Sequence, residues 1–159
     1  MPAELYIPPG AEPVNEGEQY VVGYLRNRLP ENACLFPNVS ISQTSRSEQH
    51  DYEIDLIVVM PSMVWVVEIK DWRGSLRFSS GGVLVNGYGA EYSWEKINNK
   101  AKVLRSLIIE KDPRLNDKSF RTRSVVVIVD AENRVKLSKD NASDKRIYKC
   151  AEIIARFNE

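Results

Sequence analysis

Two β-rich runs, residues 52–60 and 63–70, are separated by nothing but Pro61-Ser62. Such a pair reads as adjacent antiparallel strands joined by a short turn, and it dominates what this chain can fold into. If the hairpin is symmetric about Pro61 and Ser62, Asp55 lies opposite Glu68 and Glu53 opposite Lys70. Two-residue and four-residue turns give that same pairing, whereas a bulge would break it. Strand alternation further places Asp55 on one face with Ile57 and Val59, and Glu68 with Val64, Val66 and Lys70.

Around this hairpin the punctuation is regular. The proline-rich residues 1–13 are not expected to form regular structure and read as an extended arm, followed by a single domain over 14–159. A helix is expected over 14–29, with Val14, Val21, Val22, Leu25 and Leu29 as its apolar stripe and Pro30 as its stop. Residues 33–42 read as a strand interrupted near Pro37-Asn38, and 43–50 as a polar loop. Residues 74–79 and 83–86 form a second hairpin about Gly81-Gly82. A long helix is expected over 94–111, its apolar face built from Ile97, Ala101, Leu104 and Ile108 and its end set by Pro113. Residues 124–130 read as a buried strand, 131–145 as a loop and 145–157 as a helix. The order implies an α/β fold with a mixed central sheet flanked by helices.

Composition excludes several classes. Two cysteines far apart and one histidine leave little for a zinc site. No secretory leader or membrane-length apolar run is present, so a cytoplasmic protein is expected. Net charge is zero, yet residues 1–60 hold nine acids against three bases and residues 61–159 thirteen against nineteen, −6 against +6. The basic part suits a phosphate-binding face and equally a solvated surface.

Asp55, Glu68 and Lys70 interrupt runs of Ile, Val and Leu, where an isolated charge is costly to desolvate. Two carboxylates so close need a cation between them. An oxygen-ligated Mg²⁺ or Mn²⁺ would serve, and so would Lys70, which makes the trio a cross-strand ion-pair cluster. Glu18 falls on the first helix's apolar stripe and adds a third carboxylate turned toward the core.

Gly17-Glu18, Glu53-Ile54-Asp55, and Glu68-Ile69-Lys70 followed by Trp72 and Gly74 together resemble the nuclease-related domain of the PD-(D/E)xK, restriction-endonuclease-like superfamily. The resemblance covers about residues 14–130. It implies a restriction-endonuclease-like core and Mg²⁺- or Mn²⁺-dependent hydrolysis of DNA. Asp55, Glu68, the Ile69 carbonyl and Glu18 would be the ligands, and Lys70 would orient or deprotonate the attacking water. Where related sequences carry Asn-Pro-x-x-Gln, this chain has Asn98-Asn99-Lys100-Ala101-Lys102. Asn98, Lys100, Lys102 and Arg105 are the expected nucleic-acid contacts, with a solvated basic face of the helix as the alternative, and Trp72 and Gly74 are expected to pack. The arm Leu5-Tyr6-Ile7-Pro8-Pro9 and the Lys-Ala-Lys-Val-Leu helix are similar to N-terminal modules of bacterial phage-defence kinases, of the phage-growth-limitation and BREX types. That similarity implies a C-terminal kinase or other domain in a longer protein. The competing expectation is an inactive module of the same fold that binds DNA or a partner domain. Whether such a module is a monomer or a dimer is open in the sequence.

Overall fold

Strand-forming residues on either side of Pro61-Ser62 do pair antiparallel in the computed structural model, which describes residues 2–7, 12, 13 and 15–158. In chain order the elements are β1 (Glu4–Leu5), α1 (Glu16–Arg28), β2 (Cys34–Ser45), β3 (Glu48–Met60), β4 (Met63–Lys70), β5 (Gly74–Ser79), β6 (Gly82–Val85) and β7 (Tyr88–Gly89). Then follow α2 (Trp94–Lys111), β8 (Thr122–Ile128), β9 (Val135–Lys139), β10 (Ile147–Lys149) and α3 (Cys150–Phe157). Six strands form a mixed sheet in the order β1-β2-β3-β4-β8-β10, and β7-β6-β5-β9 form a second, smaller sheet. This is the expected α/β architecture, a mixed central sheet flanked by helices.

Helices cover both faces of the large sheet, as the β-branched strands β4 and β8 require. On one face Val21, Val22 and Leu25 of α1, Leu29 just after it, and Ile153 and Phe157 of α3 pack on Leu56, Val58, Trp65, Val67, Val125 and Val127. On the other, α2 sets Ala101 and Leu104 on Val64 and Val66, and Ile97 on Val126 and Ile128 where the smaller sheet adds Leu76 and Phe78. Asn15 caps α1 by accepting the Glu18 N–H at 2.9 Å, and Ser93 caps α2 by accepting the Lys96 N–H at 3.3 Å. Gly17 lets the first turn of α1 sit against Asp71 and Val129, each only 3.2 Å from where a Cβ would stand.

Four expectations need correction. The arm is not wholly irregular: β1 adds to the sheet edge parallel to β2, with the Glu4 and Tyr6 N–H groups donating to the Ala33 and Leu35 carbonyls. Pro8, Pro9, Gly10 and Val14 lie outside the described residues. Residues 43–50 are not a loop, because β2 and β3 run on to a two-residue turn at Arg46-Ser47. Both turn residues take positive φ (51° and 66°), a conformation usually signalled by Asn-Gly. Within 131–145, β9 pairs parallel to β5 and buries Val135. The last segment is a strand before it is a helix: β10 joins β8 in parallel, and α3 starts only at Cys150.

Candidate active site

The sheet's most informative irregularity is at Asp55. Residues of β2 and β3 pair in one constant register from Cys34↔Val59 to Ser45↔Glu48, but no pair is formed by Asn38 and Asp55. Leu56 and Val58 face α1, whereas Ile54 and Ile57 both join the cluster under α2. Phe36 and Val39 of β2 likewise share the α2 side. Two side chains three apart on one face mean that alternation breaks between them, on both strands at the same level. Asn38 accommodates the break with φ +49°.

The β3–β4 ladder follows the expected register from Met60↔Met63 to Leu56↔Val67 and stops there. Asp55 and Glu68 are therefore not a ladder pair, and Glu53 is exposed and pairs with Ser40 of β2 rather than lying opposite Lys70. Asp55 meets β4 by another route. Its Oδ2 accepts the Ile69 backbone N–H at 2.8 Å, so a side-chain oxygen serves a donor beyond the end of the ladder.

Burial and then the neighbouring Glu68 charge push the Asp55 carboxyl up to about 6, with Glu18 adding to the effect. The Ile69 N–H and Lys100 oppose the shift without cancelling it. Glu68 stands where β4 leaves its pairing with β3 and is still paired with β8. Its two carboxylate oxygens are held by two lysines, Oε1 by Lys70 Nζ at 3.5 Å and Oε2 by Lys100 Nζ at 3.3 Å. Lys70 also lies over the Trp72 ring, 5.7 Å from its centroid, and Trp72 meets Tyr92 edge-on. Trp72 is thus a packing residue, as expected.

A cleft of about 540 Å³ opens onto Glu68, Lys70, Lys96 and Lys100, with Glu91, Tyr92 and Ser93 on its rim. It lies between the end of β4 and the first turns of α2. Glu18 is buried at 9% exposure, on the helix face that also buries Val22 and Leu25. Among the described residues no three His, Cys, Asp or Glu side chains converge into a ready-made metal cage. What the donor set offers is a half-buried carboxylate, Asp55, beside a second one, Glu68, with two ammonium groups already at hand.

The expected nucleic-acid residues divide. Lys100 lines the cleft and binds Glu68, a contact that spacing along α2 could not reveal. Asn98 is half-buried and Lys102 exposed, and neither borders the cleft. Arg105 turns elsewhere, toward Phe120 and the Asp117 carbonyl. Lys96 is a cleft residue that the sequence reading missed, and its place one turn before Lys100 was the available signal.

A carboxylate pair and a lysine at the end of a central strand, beside a basic cleft, is the arrangement that the motif residues of a nuclease fold would make. The family model of the nuclease-related domain matches residues 13–129. The chain belongs to the nuclease-related domain family. The match begins just before α1 and ends one residue past β8, so it takes in Glu18, Asp55, Glu68, Lys70 and all of α2. No curated protein and no solved structure matches the chain. Strands β9 and β10 and helix α3 lie beyond the span matched to the nuclease-related domain, yet α3 closes the core behind Trp65. No helix of the described residues is long and apolar enough to cross a membrane.

Proposed function

We propose that this nuclease-related domain hydrolyses DNA phosphodiester bonds with a divalent metal, Mg²⁺ or Mn²⁺. The observation that carries the reading is Asp55: a half-buried carboxylate, raised to about 6 by burial and by Glu68, whose own carboxylate lines a cleft with three lysines. Sites poised in this way are common where catalysis needs them. Asp55 and Glu68 would hold the metal, with the Ile69 carbonyl and Glu18 completing the oxygen set that such hard cations prefer. When bound, it would lower the pKa of a water and neutralise phosphate charge.

The protein's own groups do the rest. Lys70 orients the attacking water or helps deprotonate it, and steadies the negative charge that develops on the phosphorane oxygens. Lys96 and Lys100 face the same cleft and draw the phosphodiester toward Glu68. Asn98 beside them, and Lys102 and Arg105 further along α2, carry nucleic-acid backbone contacts. Similarity of the arm and of the α2 sequence to phage-defence modules supports a place in bacterial anti-phage defence, in the cytoplasm, beside a C-terminal kinase or other domain.

One observation favours a second reading, a module that binds DNA or a partner without turnover. Lys70 and Lys100 already neutralise Glu68, so the protein supplies its own cations. Plasmid and single-stranded DNA incubated with and without Mg²⁺ or Mn²⁺, beside Lys70→Ala, separate the two. Metal-dependent cleavage lost in Lys70→Ala is the expected result. No cleavage under any condition leaves the binding module, and cleavage indifferent to Lys70→Ala overturns the role given to that lysine.

A further inference from the structure

A second basic surface lies away from the cleft, at the opposite end of β4 and β8. Arg105, Lys118, Arg121 and Arg123 line an open groove of about 370 Å³ together with Phe120 and Asp117. Among the described residues no carboxylate forms an ion pair with any of these four cations. Asp117 is the one acid in the lining, and its carboxylate accepts the Ser119 N–H. The groove, four cations against one acid, is therefore an excess of positive charge in a chain whose net charge is zero.

It is also partly built in advance. Arg105 lies with its guanidinium 5.8 Å from the Phe120 ring centroid, near the Asp117 carbonyl. Phe120 packs on the apolar cluster under α2, so the ring fixes the guanidinium rather than offering a free face for a base to stack on. Helix α2 links this groove to the cleft. Ser124 and Thr122 donate to the Ile97 and Ala101 carbonyls, so α2 runs back along β8 from the end of β4 toward its beginning. From Lys100 to Arg105 is about 8 Å along the helix axis, and from Lys70 back to Val64 about 20 Å of strand. A nucleic-acid strand leaving the cleft along α2 meets the groove within a few nucleotides.

We propose that this groove holds the sugar–phosphate backbone of the nucleic acid whose scissile bond lies in the cleft, contacting phosphates without reading bases. The inference rests on the nuclease reading for the polymer's identity, but not on turnover. It is tested by fluorescence anisotropy of short labelled single-stranded and duplex DNA in EDTA, across a salt titration. The proteins are the wild type, Arg121→Glu/Arg123→Glu, and the charge-matched control Arg26→Glu/Lys136→Glu on other surfaces, each checked for folding by thermal melting. The groove variant is expected to bind about tenfold or more weakly, with a log–log salt slope shallower by roughly 2, and with no dependence on base composition. The control is expected to bind like the wild type. Equal binding by the groove variant and the wild type overturns the proposal, as does equal weakening in the control. Competition by polyglutamate as strong as by DNA also overturns it. Because no metal is present, a wild type that binds in this way but cleaves nothing leaves the groove standing and removes only the enzyme reading.

Discussion

Lys100 of α2 and Glu68 of β4, thirty-two residues apart in the chain, meet at 3.3 Å across the cleft. Both are well covered, at 20% and 15% side-chain exposure, so solvent screens the pair less than it would a surface bridge. A cation entering beside Asp55 must draw Glu68 away from two ammonium groups. Lys100→Ala removes one competitor and is expected to tighten Mn²⁺ binding severalfold, about 1 kcal/mol. DNA cleavage in the same variant is expected to fall, since the lysine also faces the cleft. Thermal shift against Mn²⁺ concentration reads the first effect and a cleavage assay the second. Weaker metal binding in Lys100→Ala would make the lysine an organiser of Glu68 instead.

Asp55 sets a pH dependence for the metal-free protein. Its folded pKa of about 6 lies above the ordinary aspartate value of 3.8, so the folded state binds the proton more tightly than the unfolded chain does. Stability is then fullest below about pH 4 as far as this group is concerned. It declines as pH rises toward 6 and levels off above it, at a cost of roughly 2–3 kcal/mol. Asp55→Asn keeps an oxygen for the Ile69 N–H and removes the charge. In EDTA it is expected to be more stable than the wild type at pH 7.5 and no more stable at pH 4. Urea melts at the two pH values check this, and an equal effect at both would refute the assignment.

Metal should reverse that penalty. Saturating Mg²⁺ or Mn²⁺ is expected to raise the melting temperature of the wild type at neutral pH, while Asp55→Asn and Glu68→Gln lose most of the rise. A shift of equal size in all three proteins would place metal binding elsewhere.

Gly74 begins β5 with φ +96°, and a Cβ there would run into the Asn86 amide. That amide is committed: Oδ1 accepts the Ser75 N–H at 2.9 Å and Nδ2 donates to the Arg73 carbonyl at 3.2 Å. Gly74→Ala is expected to cost about 1–3 kcal/mol in urea unfolding, from the left-handed backbone and the displaced amide together. A loss below about 0.5 kcal/mol would show that the turn can rearrange freely.

Cys150 is 1% exposed at the start of α3, and burial pushes its thiol up to about 12. It is expected to resist a thiol reagent until the protein unfolds, whereas the partly exposed Cys34 reacts in the native state. Mass mapping of alkylated cysteines distinguishes the two, and native labelling at Cys150 would contradict its burial.

Much of this molecule is local, and its sequence by itself determined that part. The Pro61-Ser62 turn and the flanking β-branched runs specify the Met60↔Met63 register, because a one-residue slip would turn every apolar side chain to the wrong face. Ser93, the i, i+3, i+4 stripe and Pro113 bound α2 over the residues expected of it. The Gly17-Glu18 and Glu68-Ile69-Lys70 motifs marked the family. Tertiary structure decided what depends on neighbours distant in the chain. The strands β1, β9 and β10 exist because an existing edge offers them unpaired backbone groups, which no local propensity encodes. The Arg46-Ser47 turn is held by the long ladder on either side of it rather than by residues that favour positive φ. Above all, alternation breaks at Asn38 and Asp55 together, which takes Asp55 out of the ladder and turns its carboxylate to the Ile69 N–H. Periodicity counted along one strand cannot see a break shared by two, and spacing along α2 cannot see that Lys100 reaches Glu68. The motif was legible because its residues are close in sequence; its charge balance was not, because the fold supplies half of it from α2.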